Sequence, residues 1–182
     1  QWSAGWITYA DGEEICPVFS KDFAVKDKIA KARLYITAAG VFEAYLNGKK
    51  IGNEYLTPYL TDYEKRIQVI TFPVEKYLGT ENHLEILTGK GWYMGRFGMP
   101  AREKTYGDKM AVIAELHLYY EDGSEETICT DDTWKYRASD IEKTGIYDGE
   151  RINRLLWKDR ENEDRPVKLL NDASDIRGCI SK

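Results

Sequence analysis

Alternation with a period of two runs through most of this chain, and it restricts the fold more than any other feature. Across residues 110–120, Met110, Val112, Ala114, Leu116 and Leu118 alternate with more polar neighbours. Successive side chains point to opposite faces in an extended strand, so this is the signature of a strand with one buried face. Residues 32–38 repeat it, with Ala32, Leu34, Ile36 and Ala38 on one side and Arg33, Tyr35 and Thr37 on the other. Further strands are predicted at 16–25, 41–46, 65–72, 83–87, 126–130 and 134–137. Asn47-Gly48 tolerates the positive φ of a type I′ turn and joins 41–46 to 49–51 as a hairpin. Glu121-Asp-Gly-Ser124 is a second turn, and Asp131-Asp132 is turn chemistry before Trp134. Pro73 ends a strand and 74–77 is predicted to make one short helical turn. With about eight or nine strands, turn signals every ~8–12 residues and almost no helix, the expected fold is an all-β antiparallel sandwich, a jelly roll.

A length of 182 residues suits one domain with its own core. The expected division is a sandwich over residues 1–154 and a tail over 155–182. In that tail, 159–165 reads as a charged linker and 166–170 as a last strand or the lead into a next domain. The chain starts at Gln1 without a methionine and stops at Lys182, so it is expected to be cut from something larger. A net charge of −5 with scattered Lys and Arg argues against nucleic-acid or anionic-membrane partners. No apolar run approaches the ~20 residues of a membrane-spanning helix, and no signal peptide is visible. Three cysteines, Cys16, Cys129 and Cys179, form no close pair, which points to reduced thiols and a cytoplasmic setting. With only His83 and His117, both within strand patterns, and no compact acidic loop, no metal or other cofactor is expected. Neither histidine has a G-x-S-x-G partner for nucleophilic catalysis.

The segment 89–98 stands apart, packing four glycines, three aromatics and two cations into ten residues after a strand. It reads as a surface loop built to meet a partner, and a sugar ring is the first candidate. Trp92 and Tyr93 offer flat apolar faces with a polar edge. The competing reading has Trp92 plugging the end of the sandwich while the glycines only turn the chain. A share of 13% aromatics, with 13 tyrosines, fits a surface that must be both apolar and hydrogen-bonding.

The order of motifs resembles the amino-terminal β-domain of bacterial α-L-rhamnosidases. The resemblance rests on Ala32-Arg-Leu-Tyr-Ile-Thr-Ala-Ala-Gly40, Tyr45-Leu-Asn-Gly-Lys49, Leu56-Thr-Pro-Tyr-Leu-Thr-Asp-Tyr-Glu-Lys-Arg66 and Gly91-Trp-Tyr-Met-Gly95. It continues through Asp122-Gly-Ser124, Asp132-Thr-Trp134 and Ile146-Tyr-Asp-Gly-Glu150, and so covers residues 6–154. It implies a galactose-binding-domain-like sandwich in a parent enzyme that removes terminal α-linked L-rhamnose with inversion. In that family the catalytic carboxylates lie in a large α-helical barrel elsewhere, so no residue here inherits a catalytic role. The family commonly follows Gly-Glu with Tyr-Asp-Ala-Arg; here Arg151-Ile-Asn-Arg154 stands instead, and an aspartate role does not carry over.

The resemblance implies a non-catalytic domain that supports the catalytic domain of the same parent chain and contacts L-rhamnose-containing glycosides. The alternative is a purely structural interdomain module. The residues expected to meet the sugar are Trp92, Tyr93 and Arg96, with Asp62, Tyr63 and Arg66 from one further loop and Tyr147 and Glu150 from another. An aromatic plane would cover the apolar ring face and C6 methyl while charged groups pair the hydroxyls. Each has a plainer role: Arg66 and Glu150 as an ion pair, Tyr63 and Tyr147 with hydroxyls tied to backbone, and Asp62 closing a turn.

Overall fold

The structure, a computed structural model, describes residues 2–26, 28–156, 163–170, 176 and 180. The charged stretch 157–162 and Cys179 lie outside the described residues. One sheet contains β1 (Ile7–Thr8), β3 (Ile29–Ala39), β6 (Ile70–Pro73), β8 (Ala111–Tyr120), β9 (Glu125–Cys129) and β14 (Lys168–Leu169). Its order is β14-β1-β8-β3-β6, with β9 also on β8. The second contains β2 (Pro17–Ala24), β4 (Val41–Leu46), β5 (Lys49–Lys50), β7 (Glu81–Gly89), β10 (Lys135–Ala138) and β13 (Arg165–Pro166). It runs β13-β10-β2-β7-β4-β5, and a separate ribbon pairs β11 (Ile141–Gly145) with β12 (Gly149–Ile152). Every pairing is antiparallel. This is the all-β antiparallel sandwich that the alternation predicts.

Register turns that alternation into a core. In the first sheet Leu34 lies opposite Leu116 and Ile36 opposite Ala114. In the second, Ile86 sits between Phe19 and Ala44 in adjacent strands, and Leu46 faces Leu84. All nine are 2% exposed or less, and each large apolar side chain so buried contributes ~1.5–3 kcal/mol. The Asn47-Gly48 turn has φ of 53° and 73°, the left-handed pair that the hairpin requires. A 3₁₀ turn covers Glu75–Tyr77, where a helical turn is expected. Trp134 is buried, and its indole N–H donates to the Cys129 carbonyl at 2.9 Å.

One local expectation changes, and the tail takes a definite place. Only Ile70–Pro73 of the strand predicted at 65–72 pairs with β3, because the Lys65 and Arg66 amides both donate to the Asp62 carbonyl, each at 2.9 Å, closing a turn. In the tail, Arg165–Pro166 pairs with β10 of one sheet and Lys168–Leu169 with β1 of the other. The chain thus crosses between the two layers within five residues.

Candidate functional site

The glycine-rich segment is a packed corner rather than an open loop. Gly89 ends β7, and Gly91–Met94 forms one helical turn, α1. Gly91 has φ +52°, and a Cβ there would come 2.5 Å from the Val41 side chain. Tyr93 is 2% exposed and Tyr63 is 1% exposed. Their rings meet edge-on at 5.6 Å, Tyr106 meets Tyr63 at 5.0 Å, and Phe97 stacks on Tyr106 at 6.3 Å. Gly107 makes room for this cluster, since a Cβ there would lie 2.5 Å from the Tyr93 ring. Tyr63 and Tyr93 therefore do not offer faces to a ligand as expected; they hold the corner from inside. Burial pushes the Tyr63 hydroxyl well above the usual phenol range, and it donates to the Tyr59 carbonyl at 3.2 Å. Trp92 is half-buried against the core.

Of the other expected residues, Arg96 and Tyr147 come together. Arg96 pairs with Asp148, its guanidinium lies 5.9 Å from the Tyr147 ring centre, and the Tyr147 hydroxyl accepts from the Gly98 amide at 3.0 Å. The Arg96 hydrogen bond holds the exposed Asp148 carboxyl below its ordinary range. Asp62 accepts from Lys65 at 2.8 Å and closes the turn before Arg66, which is exposed. Among the described residues Arg66 and Glu150 form no ion pair with each other. Glu150 stands apart from this corner and lines a cleft.

That cleft lies on the outer face of the second sheet. The parity that sends Phe42, Ala44 and Leu46 inward sends Val41, Glu43 and Tyr45 outward. Register places Val18 and Glu43 on either side of Leu87, and Ser20 and Tyr45 on either side of Glu85. On this floor the β11–β12 ribbon stands as one wall, through Ile141, Thr144, Glu150 and Ile152, and Tyr55 and Leu56 as the other. The cleft volume is about 670 Å³, within the ~300–1,000 Å³ of ligand sites. Leu56 has φ 56°, a region that bulky L side chains avoid.

Polar groups ring the cleft. Glu43 accepts from the Tyr45 hydroxyl at 2.6 Å and pairs with Lys50. Burial alone would raise the Glu43 carboxyl, but these two partners outweigh it and hold it below the usual range. Glu85 is held at about 2, first by His83 at 3.4 Å and then by Arg137 at 2.6 Å, against the opposing effect of burial. Asp140 is buried and bonds Arg154 at 2.6 Å. The Glu150 side chain bonds no described residue. Anionic acceptors, an arginine, phenol hydroxyls and aliphatic surface together suit an uncharged, polyhydroxylated ring. Among the described residues no cluster of His, Cys, Asp and Glu is arranged to hold a metal ion. Sequence reasoning missed Glu43, Tyr45, Tyr55, Glu85, Asp140 and Arg154. The available signal was the apolar Val18, Val41 and Leu87 at outward positions, which marks an outer face that is partly covered.

An α-L-rhamnosidase of Alteromonas sp. (strain LOR) is 36% identical over 165 residues, which is 84% of this chain and 18% of that protein. The native α-L-rhamnosidase of Aspergillus terreus superposes with a TM-score of 0.86 at 29% identity, over 97% of this chain and 22% of that one. The Streptomyces avermitilis α-L-rhamnosidase complexed with L-rhamnose superposes at 0.79 with 29% identity, over 87% of this chain and 16% of that one. This chain thus spans less than a quarter of the length of these relatives, which are bacterial and fungal. Residues 27–168 match the family described as Alpha-L-rhamnosidase N-terminal domain, and the chain belongs to that family.

Proposed function

We propose that this chain is a non-catalytic domain of an α-L-rhamnosidase parent, which braces the catalytic part and contacts L-rhamnose-bearing glycosides in the outer-face cleft. The observation that carries the reading is the cleft itself, with Val18, Val41 and Leu87 beside Glu43 and Glu85 on its floor, the Tyr45 and Tyr55 rings and a free Glu150 carboxylate. Rhamnose carries a methyl group and an apolar ring face beside its hydroxyls, and this mixture matches that lining. A non-catalytic role is supported by Glu43 and Glu85, whose carboxyls are both held more acidic than usual, opposite to what a glycosidase general acid requires. Trp92, Arg96 and Tyr147 form a second candidate contact at the neighbouring corner.

Titration of the protein with L-rhamnose, followed by amide chemical shifts, tests the reading. Saturable shifts confined to the cleft strands and the β11–β12 ribbon are expected, and Glu150→Gln should weaken them. Shifts at Gly98 and Tyr147 alone would move the contact to the corner. No shift at tens of millimolar sugar favours the purely structural module, which the internally paired Arg96, Asp148 and Tyr147 also support.

A further inference from the structure

One wall of the cleft continues into a surface strip that none of the described residues covers. Among the described residues nine large apolar side chains are exposed, and four of them, Tyr55, Leu56, Tyr59 and Leu60, fall within six consecutive positions. Tyr55 is 74% exposed and the other three 45–51%. Ile152, also exposed, extends the patch across the cleft. Single apolar residues on a surface need no explanation, but a contiguous group marks a contact.

The strip is firmly held. The Phe42 amide donates to the Thr57 carbonyl at 2.7 Å, and the buried Tyr63 hydroxyl ties the Tyr59 carbonyl. Directly before the first anchor Leu56 keeps its positive φ, a strain that persists only where surrounding structure over-determines it and that concentrates at binding sites. A rigid backbone that displays apolar side chains to water is a preformed contact face.

Chain length points to the occupant. The relatives that cover 84–97% of this chain are themselves matched over only 16–22% of their length, so most of each lies outside this domain. Four side chains are too few for a free partner, since a stable interface between separate proteins takes ~20–30 residues a side. A covalently tethered partner needs far less, because the linker supplies a high effective concentration.

We propose that Tyr55, Leu56, Tyr59 and Leu60 are the docking face for the catalytic part of the same polypeptide, which places the sugar cleft along the seam between the two. This rests on the reading that the domain belongs to an α-L-rhamnosidase parent. Hydroxyl-radical footprinting of the full-length protein tests it, with each rate normalised to that of the urea-unfolded chain. Tyr55, Tyr59 and Leu60 are expected to react many-fold more slowly than when unfolded, whatever the protein concentration. In Leu60→Asp, a half-exposed site whose change leaves the sandwich core untouched, Tyr55 and Tyr59 should regain reactivity several-fold. Rates near the unfolded values overturn the proposal. So does protection that disappears on dilution, which assigns the strip to a second copy, or protection that appears only with added L-rhamnose. A failed rhamnose titration beside a protected strip removes the glycan contact and leaves the docking face standing.

Discussion

The aromatic corner around Tyr93 and the cleft that Val41 lines are built from adjoining segments, yet they use their side chains in contrary ways. At the corner, unusual residues serve ordinary packing: glycines make room and tyrosines turn inward. In the cleft, an unremarkable strand alternation leaves Glu43, Tyr45 and Glu85 facing a cavity. A conspicuous composition marks a place where the backbone is crowded, and crowding is as often structural as functional. What makes a site is the set of side chains that the fold gathers around a cavity, and that set is invisible until both neighbours of each strand are known.

The sharpest way to break this comparison is Tyr93→Ala. Removing a 2%-exposed ring from a four-aromatic cluster should cost ~3–5 kcal/mol in urea unfolding, and a loss well under 1 kcal/mol would mean the corner is not part of the core. Gly107→Ala should cost ~1–3 kcal/mol through overpacking, because its Cβ would intrude to 2.5 Å from the Tyr93 ring; a neutral result would show that the ring has room to move.

Smaller effects test the cleft side. His83 bonds Glu85 and Asp22, in that order of effect, and its pKa is raised to about 9. Its contribution is fully present below the unfolded value of about 6.5 and lost as pH rises through about 9. His83→Gln should thus lower stability by ~0.5 kcal/mol or less at pH 7, given its exposure, and the deficit should vanish above pH 9. A deficit that persists at pH 10 would assign it to packing. Glu85 runs the other way: its share is present above about 4.3 and lost as pH falls through about 2. Glu150→Gln should leave the unfolding midpoint unchanged while weakening the response to L-rhamnose, and a shifted midpoint would make Glu150 a structural residue.

How much was readable varies from segment to segment. The hairpin at 41–51 could be placed almost to the residue, because Asn47-Gly48 states its turn locally and the flanking alternation states its faces. The strand predicted at 65–72 was too long by five residues, because the Asp62 carbonyl captures the amides that the ladder would have used. In the sequence Tyr63 and Tyr93 read as contact residues, since a tyrosine suits a wet surface and a core equally well. Only their mutual packing with Tyr106 decides between the two.

Local pattern alone establishes that two antiparallel layers form and which side chains of 32–38 and 110–120 turn inward, since a period of two is a local property of an extended backbone. Tertiary structure alone decided that the outer face of the second sheet becomes a cleft, that Arg96 meets Tyr147 and Asp148, and that the strip from Tyr55 to Leu60 stays uncovered. Each of those depends on segments tens of residues apart arriving at one place, and no local pattern encodes where a distant ribbon will land.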